Sequence, residues 1–416
     1  MSVVLKFGGS SITKDGFETI LNEIENNKGK KIVIVLSAVY NVTNILISLM
    51  ERKLNYTIQN LVDIHYKLIE EIGLKHSFID SLIEELNKDL YKEKVNKPKI
   101  LSYGELLSTI ILYEYLKKNN ISSSLIDGTE LIRSSFSMKE IIDNSCKSQN
   151  FYCDDCIFNY VEKNEIVITQ GFITKTKDNY IYTLTRGGSD TTASLIASKL
   201  NSERLEIWTD VNGVFDADPN VIKNSNIINN LDYELCQEMA GMGAKVLHPY
   251  CIRPCQMKNI PIYIKNTYDS NNNNTIISSE YNNKLSLMLD RGNKVFNITS
   301  LNMWNDYGFV ADIFLKFKNY SIDINIITTS QYSVLATTKE EDEDKIMSLK
   351  EELSRHYDVS LFNCDLISII GRDIIQNKKI PHLFEKLNNH DKIYITHFSS
   401  NNMCLTFAIS NEISAY

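Results

Sequence analysis

Nowhere in these 416 residues does an apolar run approach the ~18 residues needed to span a bilayer. The longest obvious one, Ile32 to Leu36, is the length of a strand, so no membrane-spanning helix and no membrane partner are expected. The opening residues also lack the basic, then apolar, then small-residue order of a signal peptide. Met1 leads almost at once into the strand-like run Val3 to Phe7, and a cytoplasmic location is expected. Basic charge is in deficit, with 44 Lys and Arg against 52 Asp and Glu for a net charge of −8. A nucleic-acid surface would have to be a local patch against that field, so the expected partners are small molecules. The eight cysteines are scattered without a secretory signal, which argues for reduced thiols over a disulfide framework. Cys153 and Cys156 form a Cys-x-x-Cys, but no second pair follows at zinc-ribbon spacing. His248, Cys251 and Cys255 belong to a segment better used elsewhere, and no metal site is expected from side chains alone. A Walker A loop is absent too, because no Gly-Lys-Ser/Thr follows a glycine at the required distance.

What is present is the balance of a globular protein, 43% hydrophobic and 23% charged, long enough for two or three domains of ~100–200 residues. The first 50 residues read as strand, loop, helix, strand: Val3 to Phe7, Gly8 to Ser11, an amphipathic stretch from Phe17, then Ile32 to Leu36. From about Glu51 to Lys97 charged and apolar positions alternate at helical spacing, which predicts a helical insertion ending at Pro98. Strand-like runs recur at Ser124 to Asp127, Glu165 to Thr169 and Arg204 to Thr209 with helical patterns between them. That alternation predicts an α/β fold with a mainly parallel sheet sandwiched by helices. Asp269 to Asn274 contains four consecutive asparagines, a polar tract expected as a surface loop near a domain boundary. Beyond Lys294 the chain repeats weakly at an offset of 70, pairing Phe314 with Phe384, Lys316 with Lys386, Asn319 with Asn389 and Ser330 with Ser400. Each copy places an amphipathic helix before two β-rich runs: Ile322 to Ile327 and Val334 to Thr337, then Ile393 to Phe398 and Cys404 to Ile409. Two small α+β modules are therefore expected. The boundaries implied are a domain over 1–280 and a region over 290–416, itself divided at about 295–362 and 363–416.

Four segments carry chemistry. Lys6, Gly8, Gly9, Ser10 and Ser11 follow the first strand; adjacent glycines let N–H groups approach a phosphate, and the lysine supplies charge. A glycine turn with a solvated lysine is the plain alternative. Arg186, Gly187, Gly188, Ser189 and Asp190 join the run Tyr180 to Leu184 to a helix expected from near Ala193. Capping alone explains Ser189 or Asp190 but not the arginine and both glycines. Thr209, Asp210, Gly213, Phe215 and Asp218 suit a nucleotide-edge loop or simply a β-turn. Gly243, Lys245, Val246 and His248 place a second lysine near a glycine.

In this order and at these spacings the segments resemble the aspartate kinases of the amino-acid kinase superfamily, over essentially the whole chain. The family's opening stands as Lys6 to Ser11. Its Ser-Ala and Val-Thr-Asn stand as Ser37, Ala38, Val42, Thr43 and Asn44, and its Gly-Glu-x-x-Ser as Gly104, Glu105 and Ser108. The doubled C-terminal unit resembles the ACT pair through which such enzymes sense amino acids.

The resemblance implies an amino-acid kinase fold followed by two ACT-like modules, and ATP-dependent phosphorylation of the L-aspartate side chain, the first step of aspartate-family biosynthesis. By it, Lys6 neutralises the migrating phosphoryl group and Asp190 organises Lys6. Gly8, Gly9 and Ser10 donate N–H groups at the phosphates beside Gly187 and Gly188. Arg186 grips the α-carboxylate, Glu105 accepts the α-ammonium, and Ser37, Thr43 and Ser189 add neutral hydrogen bonds. Thr209, Asp210, Phe215, Asp218, Lys245 and Val246 fall where the family holds ATP, with Mg²⁺ bridging phosphate oxygens. Met303, Phe309, Val310, Asp323, Asn325 and Ser330 fall around the effector pocket. A homo-oligomer is implied, a dimer through ACT modules or a tetramer. The competing readings are an inactive amino-acid sensor and a kinase for another acid. Glu105 argues against an acylated amine, which offers it no ion pair.

The chain departs from the family at Phe215, where tyrosine is usual, at Asn220 for arginine, and at Thr185 for glycine. Asn325 stands where lysine-responsive members hold an aspartate, so a weakened or altered lysine response is expected.

Overall fold

The computed structural model describes residues 1–53, 55–144, 151–184, 187–243, 247–269, 274–280, 284–300, 307–378, 380–382 and 392–410. The chain forms two compact units. One comprises 1–214, 227–240 and 245–282, and the other 215–226, 241–244 and 283–416.

In the first unit the elements alternate: β1 (Ser2–Phe7), α1 (Lys14–Asn26), β2 (Lys31–Leu36), α2 (Val42–Met50), α3 (Ile58–Glu71), α4 (Asp80–Leu90) and α5 (Lys97–Lys118). There follow β3 (Ser124–Ile126), α6 (Gly128–Leu131), β4 (Ile132–Ser134), α7 (Met138–Asn144), β5 (Phe151–Cys153), α8 (Cys156–Lys163) and β6 (Ile166–Gln170). Then come β7 (Ile173–Lys175), β8 (Ile181–Thr183), α9 (Gly188–Leu200), β9 (Arg204–Thr209), β10 (Asn230–Asp232), α10 (Tyr233–Gly241), α11 (Pro249–Gln256), β11 (Ile262–Asn266) and β12 (Asn274–Ser278). The expected helical insertion is α3 and α4, and Pro98 sits in the first turn of α5, where its missing N–H costs no hydrogen bond.

The main sheet has the order β10-β12-β11-β9-β1-β2-β6-β3, parallel except where β11 meets β12. β1 is central and every one of its residues is buried, which requires side chains that can be covered on both faces. Val3, Leu5, Phe7, Ile34, Leu36 and Trp208 pack against α1 to α5, with Phe7 stacked on Trp208 at 5.6 Å. The opposite face, alternating in sequence, is covered by α9 lying on β1, β9 and β2. A smaller sheet, β5-β4-β7-β8, lies beyond it. No described helix is long and apolar enough to cross a membrane.

Within the insertion His65 on α3 is fully buried. Its Nδ1–H donates to the Leu61 carbonyl at 2.7 Å, while Nε2 has no partner. Burial pushes its pKa down to about 4. The unfolded chain takes up this proton near pH ~6.5, so stability present above that pH is lost as pH falls toward 4, by about 3 kcal/mol. Urea midpoints measured at pH 7 and 4.5 should show this slope, and His65→Leu should flatten it; an unchanged slope would place the acid sensitivity elsewhere.

In the second unit, β13 (Ser286–Thr299), α12 (Phe309–Asn319), β14 (Ile327–Thr329), β15 (Ser333–Thr338), α13 (Glu343–Ser354) and β16 (Asp358–Ile370) make a βαββαβ run. β17 (Ile393–Phe398) and β18 (Cys404–Ser410) extend the same antiparallel sheet, giving the order β14-β15-β13-β16-β18-β17. Phe296, Ile313, Phe317, Leu349 and Leu353 fill one core between this sheet and its helices. The division anticipated at 362/363 falls inside β16, whose 13 residues pair with β13 on one side and β18 on the other. One long strand runs straight through the anticipated division. β14 begins only at Ile327, later than the run Ile322 to Ile327 suggests, because Ile322 and Ile326 are buried from a loop. The second amphipathic helix expected from the repeat lies mostly at 383–391, outside the described residues.

Candidate active site

The loops that follow β1, β2 and β9 carry Gly8, Gly9, Ser10, Ser37 and Asp210 to the carboxyl edge of the sheet, where α/β folds gather ligands. Lys6 is the penultimate residue of β1 and only 8% exposed. Its Nζ lies 2.7 Å from Asp190 Oδ1 in the first turn of α9. The contact is a charge pair without hydrogen-bond alignment, and that carboxylate oxygen is buried with no aligned donor. α9 starts at Gly188, five residues before the position expected from the sequence. Gly187 in front of it adopts φ +69°, the left-handed conformation that spares glycine a steric penalty. A Cβ there would lie 2.4 Å from that of His248, so the helix start is wedged against the residue that caps α11. The resulting first turn presents N–H groups and a dipole end beside a lysine, a setting that favours an anion.

The loop after β1 needs one correction. The Gly8 N–H donates to the Trp208 carbonyl at 3.0 Å, continuing the strand pairing, so it is not available to a phosphate. Gly9 and Ser10 open a 3-10 turn, and their N–H groups are the two left without a backbone acceptor. Gly9 is required by space: a Cβ would sit 2.7 Å from the Ala38 carbonyl oxygen.

Glu105 comes from α5 on the other side of the sheet. It is 3% exposed; Oε1 accepts the Ala38 N–H at 3.1 Å, and Oε2 is buried without a partner. Desolvation pushes its pKa up to about 8, with the Ala38 N–H opposing. Ser37 and Ala38 follow β2, and Ser108 Oγ donates to the Ser37 carbonyl at 2.7 Å, holding that loop on α5. Thr43 is in the first turn of α2, half-buried, and Ser189 is buried behind Asp190. Thr209 ends β9 with its hydroxyl donating to Asp210 at 3.1 Å.

Phe215 and Asp218 belong to the segment grouped with the second unit. There Asp218 accepts from Asn220 N at 2.9 Å and Nδ2 at 3.1 Å, forming a turn. In the same unit Phe309 and Val310 open α12, and Asp323 is exposed on the loop before β14. The Asn325 amide donates to Asn293 Oδ1 at 2.9 Å, and the Ser330 hydroxyl caps the β14–β15 turn. Arg186, Lys245, Val246 and Met303 lie outside the described residues.

Three neighbours lie outside the residues assigned site roles from the sequence. Phe172, after Gly171, has φ +67°, a strained conformation for a bulky residue that costs about 1–3 kcal/mol. Its N–H donates to Thr192 Oγ1 at 3.2 Å, fastening it to α9. Cys251 on α11 is buried within the field of Asp190 and Lys6, and burial holds its thiol protonated. Gln170 joins α5 to β6 through Thr109. The Cys153 and Cys156 thiols are pushed up by burial to about 12 and about 11 and are therefore neutral.

A buried lysine paired with an aspartate at a helix start, and a buried glutamate on the helix across the sheet, thus lie around one α/β sheet. The family model described as "Amino acid kinase family" matches residues 1–266. The chain belongs to that family. It is 28% identical to the lysine-sensitive aspartokinase 3 of Escherichia coli (strain K12), over 97% of this chain and 94% of that protein. The solved structure of E. coli aspartokinase III with aspartate and ADP, in its R-state, aligns with TM-score 0.82 and 25% identity, over 99% of this chain and 97% of that one. The T-state structure with lysine and aspartate aligns at 0.79 and 26%, over 99% and 96%.

Proposed function

We infer that this chain is an ATP-dependent aspartate kinase that makes 4-phospho-L-aspartate and ADP. The observation that carries the reading is Glu105 Oε2, a buried carboxyl oxygen with no hydrogen-bond partner. An α-ammonium supplies that partner, and the likeness to enzymes named aspartokinase supplies the acid.

The chemistry needs no general base, since the β-carboxylate of aspartate is ionised well below neutrality at a pKa of ~3.9. A carboxylate oxygen bonds to the γ-phosphorus as the bond to the β–γ bridging oxygen breaks, and ADP leaves with that electron pair. Both reactants are anionic, so the requirement is charge compensation in line with the attack. Lys6 sits for that task, held by Asp190, with the Gly9 and Ser10 N–H groups and the start of α9 around the phosphates. Among the described residues no three His, Cys, Asp or Glu side chains converge on one point. Asp190, in the first turn of α9 beside Lys6, is the carboxylate that would hold Mg²⁺, and the ion would offset phosphate charge there.

In this reading residues 1–280 form the catalytic domain and 290–416 a regulatory region of two ACT-like modules that senses an amino acid. The enzyme works as a homo-oligomer in the cytoplasm. Thr209, Asp210, Phe215, Asp218, Lys245 and Val246 serve ATP. Arg186 takes the α-carboxylate, and Arg186→Ala is expected to raise the aspartate KM about 10–100-fold, leaving the ATP KM near the wild-type value. Steady-state ADP release checks this, and an unchanged aspartate KM would assign the clamp to another residue. The function itself is tested by ADP release against aspartate, glutamate and N-acetylated acids, trapping the acyl phosphate with hydroxylamine. Hydroxamate from aspartate is the expected result; none from aspartate overturns the reading.

A further inference from the structure

Gln170, the last residue of β6, is 1% exposed and uses both ends of its amide. Oε1 accepts the Gly128 N–H at 2.8 Å, and Nε2 donates to Thr109 Oγ1 at 2.8 Å. The Thr109 hydroxyl donates in turn to the Glu105 carbonyl at 2.8 Å, on the same α5 turn that presents the Glu105 carboxylate. Glu105 Oε1 accepts from Ala38 N–H, two residues past the end of β2, and the Gly171 N–H returns to the Leu36 carbonyl at 2.9 Å. The bonds close a ring: β2 end, Glu105, Thr109, Gln170, Gly171, β2 end.

The next residues reach the other half of the site. A Cβ on Gly171 would stand 2.5 Å from that of Ser189, and the Phe172 N–H holds Thr192. α5 packs on the sheet face of Phe7 and Leu36, whereas Lys6, on the alternate face, meets α9. Gln170 is thus the node through which the helix bearing the ammonium acceptor is set against the helix start bearing Ser189 and Asp190.

We propose that Gln170 is a positioning residue that sets the span between the Glu105 carboxylate and the start of α9, and through it the length of acceptor amino acid that reaches the phosphoryl group. The inference rests on the aspartate-kinase reading. A buried amide with both ends satisfied holds one geometry, because any shift of α5 leaves a polar group without a partner. Aspartate and glutamate differ by one methylene, so a ruler that moves by a fraction of that length changes the preference between them.

The test compares Gln170→Leu, Thr109→Val, their double variant and Thr109→Ser in the full-length enzyme, by ADP release with aspartate and with glutamate. Gln170→Leu and Thr109→Val should each raise the aspartate KM about tenfold, as small displacements in a reacting geometry do. Both should narrow the preference for aspartate over glutamate by a similar factor, with the ATP KM within about twofold of wild type. The double variant should be no worse than either single change, because both break one chain of bonds. Thr109→Ser, which keeps the hydroxyl, should behave as wild type. If Gln170→Leu does not fold, the two Thr109 variants, nearly isosteric with the native residue, decide alone. Parallel rises in both KM values together with a lowered Tm would reduce Gln170 to a structural residue, and an unchanged aspartate KM overturns the proposal outright. Wild-type turnover of aspartate in the same assay separates the two levels. Its absence overturns the kinase reading, whereas an active wild type with unaffected variants overturns only the positioning role.

Discussion

Lys6→Met lowers turnover by about 10²–10³-fold in the expected result, the range for deleting one preorganised group that stabilises transition-state charge. The structure adds a second consequence. Lys6 and Asp190 are a mostly buried pair, their side chains 10% and 13% exposed, so removing the ammonium alone strands a carboxylate in a low-dielectric setting. The single variant should therefore also lose stability. The double variant Lys6→Met with Asp190→Asn should recover much of that loss in a denaturation experiment while staying inactive. Stability and catalysis part company there, because the pair can be replaced for folding but its positive charge cannot be replaced for phosphoryl transfer. More than half the wild-type rate in Lys6→Met would remove the residue from the chemistry.

The second large effect belongs to Glu105. With its pKa pushed up to about 8 by burial, the ligand-free carboxyl carries its proton at pH 7. An ammonium placed against Oε2 stabilises the ionised form and drives the pKa down, so aspartate binding at pH 7 should release up to one proton. Calorimetry in buffers of different ionisation enthalpy reads that number from the slope. The sign for catalysis follows. Below pH 8 the free enzyme must give up a proton to bind, so the aspartate KM should fall as pH rises from 6 to 8 and level off above. The sign for folding is opposite: the unfolded carboxyl ionises near pH 4.5 and the folded one only near 8, so this residue subtracts stability from the ligand-free enzyme as pH rises between those values. Glu105→Gln should abolish the proton release and raise the aspartate KM by about 30-fold or more, the cost of losing one partner of a desolvated charge pair. Proton release that persists in Glu105→Gln would have to come from another group.

Much of this site is legible in the residue order. A lysine at the end of a strand followed by two glycines, and Gly-Gly-Ser-Asp before a helix, each carry a local requirement that few other residues meet, and the fold brings them to 2.7 Å. Other features were hidden for definable reasons. The start of α9 reads too late from the sequence because Gly187 and Gly188 are poor helix formers, and only the wedge of His248 against Gly187 shows why the helix begins there. Gly8 looks like a phosphate donor until its N–H is found on Trp208, a residue 200 positions away. Gln170 has no motif around it; its importance lies in partners on α5 and α6. The long strand β16 is invisible to a repeat of 70 residues, since the repeat marks sequence kinship and not where one sheet ends.

The alternation of strand and helix, the glycine loops and the identity of the charged groups were determined by the sequence alone, because they follow from periodicity, backbone freedom and side-chain chemistry within a few residues. What the tertiary structure decided is the state of those groups. Whether Glu105 holds a proton, which N–H groups are free and which helices share one hydrogen-bonded ring all depend on desolvation and on partners far away in the chain, and neither quantity exists before the chain is packed.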